Sequence, residues 1–131
     1  MYRVEIDVQH VEAGDKIETR VRDPEGRTRF LLRATERRGG GALNLHDCLA
    51  SALWQADHLG AAEVQICSND LCFLAELRRY LSDGVPPVRT MLGQIAYQIL
   101  GHFHRVQFGG LDRSGAEADV AGQRVLATCA A

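Results

Sequence analysis

The sequence predicts an α+β domain built on a mixed sheet, and three observations carry that prediction. Apolar and polar residues alternate from Tyr2 to Gln9, two turn signatures follow closely, and from Leu45 the apolar spacing lengthens to that of a helix. At 131 residues the chain has the size of one domain, 1–131, with room for one core.

Tyr2, Val4, Ile6 and Val8 alternate with Arg3, Glu5, Asp7 and Gln9, the period-two pattern of a strand. A Gly14-Asp15 turn leads to a second strand over about Ile17 to Arg22. Asp23-Pro24-Glu25-Gly26 then places proline second and glycine fourth, which is turn chemistry, and a third strand runs from about Arg27 to Thr35. Two tight turns joining three strands give an antiparallel meander, which the Gly39-Gly40-Gly41 loop ends. Leu45, Cys48, Leu49, Ala52, Leu53, Ala56 and Leu59 form one helical stripe, with Asn44 as N-cap, Asp47 completing a capping box and Gly60 as terminator. Val64 to Cys67 is a short strand that can reach the first only as a parallel crossover partner. The next helix turns Leu71, Leu74, Leu77 and Leu81 inward, and Ser82-Asp83-Gly84 with Pro86-Pro87 breaks it. Met91, Leu92, Ile95, Ile99 and Phe103 mark another helix, Val106 to Phe108 a strand, and Ser114 with Glu117 caps a terminal helix through Ala118, Ala121 and Val125. The predicted order is βββαβαβα.

Hydrophobic residues at 46% and charged residues at 24% exclude a wholly disordered chain. No stretch approaches the roughly 20 uncharged apolar residues that cross a bilayer, so a cytoplasmic location without membrane attachment is expected. Residues 20–38 hold seven arginines against Asp23, Glu25 and Glu36, a local charge of +4 within a chain of net charge −2. Such a stretch can meet phosphates, or can be a solvated strand face. Cys48, Cys67, Cys72 and Cys129 form no CxxC pair and read as reduced thiols. His102 and His104 lack nearby companions for a metal site.

These elements, with four local segments, resemble the ribonuclease H-like family, in its type 1 and reverse-transcriptase-like branch, over nearly the whole chain. Ile6-Asp7-Val8 falls where that family has its first-strand aspartate, and Val21 to Gly26 resembles its RDPDG-type turn. Cys48, Leu49, Ala52, Leu53, Ala56 and Gly60 match the spacing of its first helix. Val106-Gln107-Phe108, Arg113 and Ala118-Asp119-Val120-Ala121 resemble its closing segment. The resemblance implies a five-stranded mixed sheet, three antiparallel strands followed by parallel crossovers, with helices on both faces.

It also implies two magnesium or manganese ions, about 3.5–4 Å apart, held by four carboxylates and driving in-line hydrolysis of RNA in RNA–DNA hybrids. Asp7 and Asp119 match the first and last acidic positions. The second position is Leu45, which cannot ligate a metal. The third is Asn69, followed by Asp70, which a one-residue shift would bring into its place. The candidate catalytic residues are thus Asp7, Asn69, Asp70 and Asp119, the candidate metal ligands Asp7, Asp70 and Asp119. Arg27, Arg29 and Arg33 are the candidate nucleic-acid contacts, because the family's basic protrusion has no counterpart in the short Ser82 to Thr90 segment. Three readings follow. One is a ribonuclease H-like domain with a degenerate site that contacts a hybrid or RNA with weak or absent hydrolysis. The others are an active magnesium-dependent ribonuclease, and a module that binds a protein partner or a second copy.

Overall fold

The computed structural model describes residues 1–12, 14–37, 45–84, 91–111 and 117–118. The first three strands are β1 (Tyr2–Val11), β2 (Gly14–Arg22) and β3 (Thr28–Arg37). Then come α1 (Leu45–His58), β4 (Glu63–Ser68), α2 (Leu71–Asp83), α3 (Met91–Leu100), β5 (Arg105–Leu111) and β6 (Glu117–Ala118). The sheet order is β3-β2-β1-β4-β5-β6, antiparallel through β1, β2 and β3 and parallel where β1, β4 and β5 meet. The meander and the crossover expected from sequence are therefore present. No helix among the described residues is long and apolar enough to cross a membrane.

Alternation along β1 places Val4, Ile6 and Val8 on one face. Register adds Val21, Thr19 and Ile17 from β2, and Val64, Ile66 and Ser68 from β4. On that face pack Cys48, Leu49, Ala52, Leu53 and Ala56 of α1, Phe73, Leu74 and Leu77 of α2, and Ala96, Tyr97, Ile99 and Leu100 of α3, in one buried cluster. The three helices of the described residues thus share one face. The remainder of the expected terminal helix, on which the second-face helix depended, lies outside them.

Local chemistry explains the joints. In the turn after β2 the Gly26 amide donates to the Asp23 carbonyl at 2.9 Å, and Asp23 Oδ1 accepts from the amides of Glu25 and Arg27. Burial alone would raise the Asp23 pKa, but the Arg27 amide, the Arg29 guanidinium and the Glu25 amide outweigh it, holding the carboxyl below its ordinary value. Asp70 caps α2 by accepting from the Phe73 amide at 3.0 Å, and Gly84, at φ +74°, closes it by donating to the Tyr80 carbonyl at 2.7 Å.

Several sequence expectations need correction. The first hairpin is tighter than expected: Val11 pairs with Gly14 and His10 with Asp15, so Gly14 and Asp15 belong to β2. Leu81 is exposed because Tyr80 takes the last inward position of α2, its ring 4.5 Å from that of Tyr97. Met91 is 78% exposed because the buried face of α3 centres on Ala96, Tyr97 and Leu100. The two helices expected between the fourth and fifth strands are both present, so the order βββαβαβα undercounts them by one. Glu117 and Ala118, placed in a terminal helix, instead pair antiparallel with Leu111 and Gly110 and extend the sheet to six strands. Cys72 is disulfide-bonded, so the reduced reading holds for Cys48 and Cys67 alone among the described cysteines. Asn44, Gly39 to Gly41, Arg113, Ser114 and Asp119 lie outside the described residues.

Candidate functional site

The parallel ladder between β1 and β4 ends at Ile6 and Ser68, and the residue that follows β4 continues it by other means. Asn69 Oδ1 accepts from the Val8 amide at 2.8 Å, and Asn69 Nδ2 donates to the Val8 carbonyl at 2.8 Å. The side-chain amide thus supplies one donor and one acceptor, as a peptide unit of a neighbouring strand would. A carboxylate could accept from the amide but would face the carbonyl oxygen with its own lone pairs. Asn69 is committed to the backbone.

Asp7 is half-buried one residue earlier, and alternation turns its side chain to the face opposite Val8. Directly across the sheet in register stands Glu18, itself ion-paired with Arg20 and, at 3.0 Å, with Arg33. Glu5, 5% exposed on the same face, bridges Arg3 at 3.1 Å and Arg22 at 2.9 Å. Glu5 and Glu18 on this face are thus already matched by arginines.

The opposite face holds a cleft of about 250 Å³ between the end of β1, the start of β2 and the first turns of α1 and α2. Val8, Ile17, Leu45 and Phe73 line it, with His46, Asp70 and Glu76 among its polar walls. Leu45 is half-buried against the core. Asp70 lines the cleft, with one carboxylate oxygen engaged by the α2 cap. Asp70 and Asp7 therefore belong to different faces, and no three potential metal-donor side chains converge among the described residues. Asp119, the fourth candidate, lies outside the described residues. Leu45 offers hydrocarbon, and Asn69 spends both amide atoms on Val8.

Sequence reasoning missed the polar node beside the cleft. His46, 7% exposed in the first turn of α1, meets Glu76 Oε2 at 2.9 Å through Nε2 and the Tyr97 hydroxyl at 2.8 Å through Nδ1. Tyr80 in turn donates to the Tyr97 carbonyl at 3.2 Å. Burial pushes the His46 pKa below its ordinary value, against the pull of Glu76, Asp47 and Asp70. Burial, then Glu76 and Tyr80, raises that of Tyr97. The one available signal was the second position of a helix occupied by a histidine, which is too common to single out.

Arg27, Arg29 and Arg33 are all exposed, on or beside edge strand β3. Arg29 lies 3.5 Å from Asp23 and Arg33 is tied to Glu18.

No family model and no curated protein matches the sequence. Solved structures do match the fold. The N-terminal ribonuclease H domain of a Mycobacterium tuberculosis protein, solved as a fusion with maltose-binding protein, is 17% identical at a TM-score of 0.57, covering 86% of this chain and 83% of its own. Ribonuclease H1 from the halophilic archaeon Halobacterium salinarum is 14% identical at 0.55, covering 86% of each chain. The LC11 ribonuclease H1, solved in complex with an RNA/DNA hybrid, is 17% identical at 0.51, covering 87% of each. With the meander, the parallel crossover and the strand order in agreement, the chain carries the ribonuclease H-like fold.

Proposed function

We propose that the chain is a ribonuclease H-fold domain that contacts nucleic acid, an RNA–DNA hybrid or RNA, with weak or no two-metal hydrolysis. The observation that carries this reading is Asn69, whose two amide atoms both bind the Val8 backbone at the strand end where the resemblance expects a metal-binding carboxylate. Leu45 supports it, because it presents only hydrocarbon to the cleft. The contact half of the reading rests on the exposed arginines beside β3 and on a similar fold having been solved with a hybrid. Phosphate contact by Arg27, Arg29 and Arg33 would be sequence-independent and salt-sensitive.

The test is an incubation with RNA–DNA hybrid and magnesium or manganese, comparing the wild type with Asp7→Asn. Cleavage is expected to be undetectable or orders of magnitude below that of a competent ribonuclease H. Robust cleavage abolished by Asp7→Asn would overturn the degenerate reading and restore the active enzyme. Hybrid binding is expected at low salt; its absence would favour the protein-interaction module.

A further inference from the structure

We propose that Cys72 pairs with Cys129 and that this bond straps residues 119–131 over the cleft, to be released when a dithiol reduces it. The pairing follows by elimination. Cys72 is disulfide-bonded, Cys48 and Cys67 carry thiols, and the sequence has one further cysteine, Cys129.

The register of the sheet brings the two sulfurs within reach. Ser68 of β4 is level with Gly110 of β5, and Gly110 with Ala118 of β6, so the chain leaves β6 at the end of the sheet where α2 begins. Two strand spacings, about 10 Å, separate Ala118 from Ser68. Cys72 lies four positions after Ser68, and the eleven steps from Ala118 to Cys129 can extend to about 36 Å.

The cleft is the surface that the strap meets, because Cys72 is one of its walls. Val8, Ile17, Leu45 and Phe73 supply hydrocarbon there, and Asp70 and Glu76 add carboxylates. The segment leading to Cys129 offers the complement: Val125 and Leu126 are aliphatic, and Arg124 is the only cation among residues 119–131. These three side chains lie within five positions of the tether, which holds them at high local concentration beside the cleft, where burying the two aliphatic ones is favourable.

Release is thiol–disulfide exchange. Cys72 is half-buried, within reach of a small dithiol. The two sulfurs of the dithiol join, the Cys72–Cys129 bond breaks, and the two hydrogens of the dithiol pass to the freed thiols. The segment is then held by the chain alone, its local concentration falls, and the cleft opens.

The test uses the full chain equilibrated with oxidised glutathione, then denatured, alkylated and digested without reductant. Mass spectrometry is expected to find Cys72 joined to Cys129, with Cys48 and Cys67 alkylated. An alkylated Cys72, a glutathione adduct on it, or a bond from it to any other cysteine overturns the pairing. Methyl NMR of the oxidised chain is expected to show contacts of Val125 and Leu126 with Val8, Ile17 and Leu45. These should disappear on adding dithiothreitol, be missing in Cys129→Ser without it, and persist in Cys67→Ser. The strap is overturned if the oxidised chain lacks those contacts, or if they survive in the reduced chain or in Cys129→Ser.

Discussion

At the scale of single residues, the departures from the family pattern acquire causes. Asn69 can be found in sequence as a missing acid, but not as a residue with an occupation of its own, because its partner is the backbone of Val8, 61 positions away. Replacing it by aspartate removes the bond to the Val8 carbonyl and sets two oxygens against each other. Asn69→Asp should therefore lose about 1–3 kcal/mol of stability, with no recovery on adding manganese; thermal melts with and without the ion measure both. His46 makes a separate prediction. Its folded pKa lies below the unfolded value of 6.5, so the unfolded chain binds the extra proton first. Stability is complete above pH 6.5 and falls as pH drops through and below it, a slope that His46→Gln should lessen in melts across pH 7.5 to 5.

At the scale of elements, periodicity was a sound guide wherever one face meets the core and an unsound one at the ends. The stripe of α1 reappears as buried Cys48, Leu49, Ala52, Leu53 and Ala56, since one helical face meets the sheet. On α2 and α3 a leucine and a methionine at stripe positions point outward, because Tyr80 and Tyr97 pack against each other at a tilt and turn both helices toward that pair. Aromatic residues carry more buried area than a leucine and so decide the rotation. The two ends of α2 can be weighed against each other. Gly84 has a φ of +74° with open space where a Cβ would sit, so Gly84→Ala should cost about 1 kcal/mol from backbone conformation alone. Asp70→Ala removes the cap and should cost about 1 kcal/mol as well. Similar falls in melting temperature would confirm that neither end depends on tertiary contact.

For the whole molecule, the order of strands was legible because short turns allow few topologies, whereas the distribution of charge was not. Seven arginines between residues 20 and 38 suggested a basic surface. In the folded chain Glu5, Glu18 and Asp23 each hold arginines of that stretch, so its cationic excess is smaller at the surface than in the sequence. Arg29 and Arg33 already have partners, while Arg27 is exposed in the turn before β3. In a hybrid-binding titration against salt, Arg27→Ala should flatten the logarithmic slope by about 1, and Arg29→Ala by less.

A last consequence concerns time rather than energy. The Val8 amide proton is held by a side chain, so its exchange with solvent is governed by how often the Ser68-Asn69-Asp70 corner opens, not by fraying of the β1–β4 ladder. The corner that starts α2 thus sets the clock for the end of β1. Asn69→Ala should speed deuterium uptake at Val8 while leaving the amides of Val4 and Ile6 nearly as slow as before.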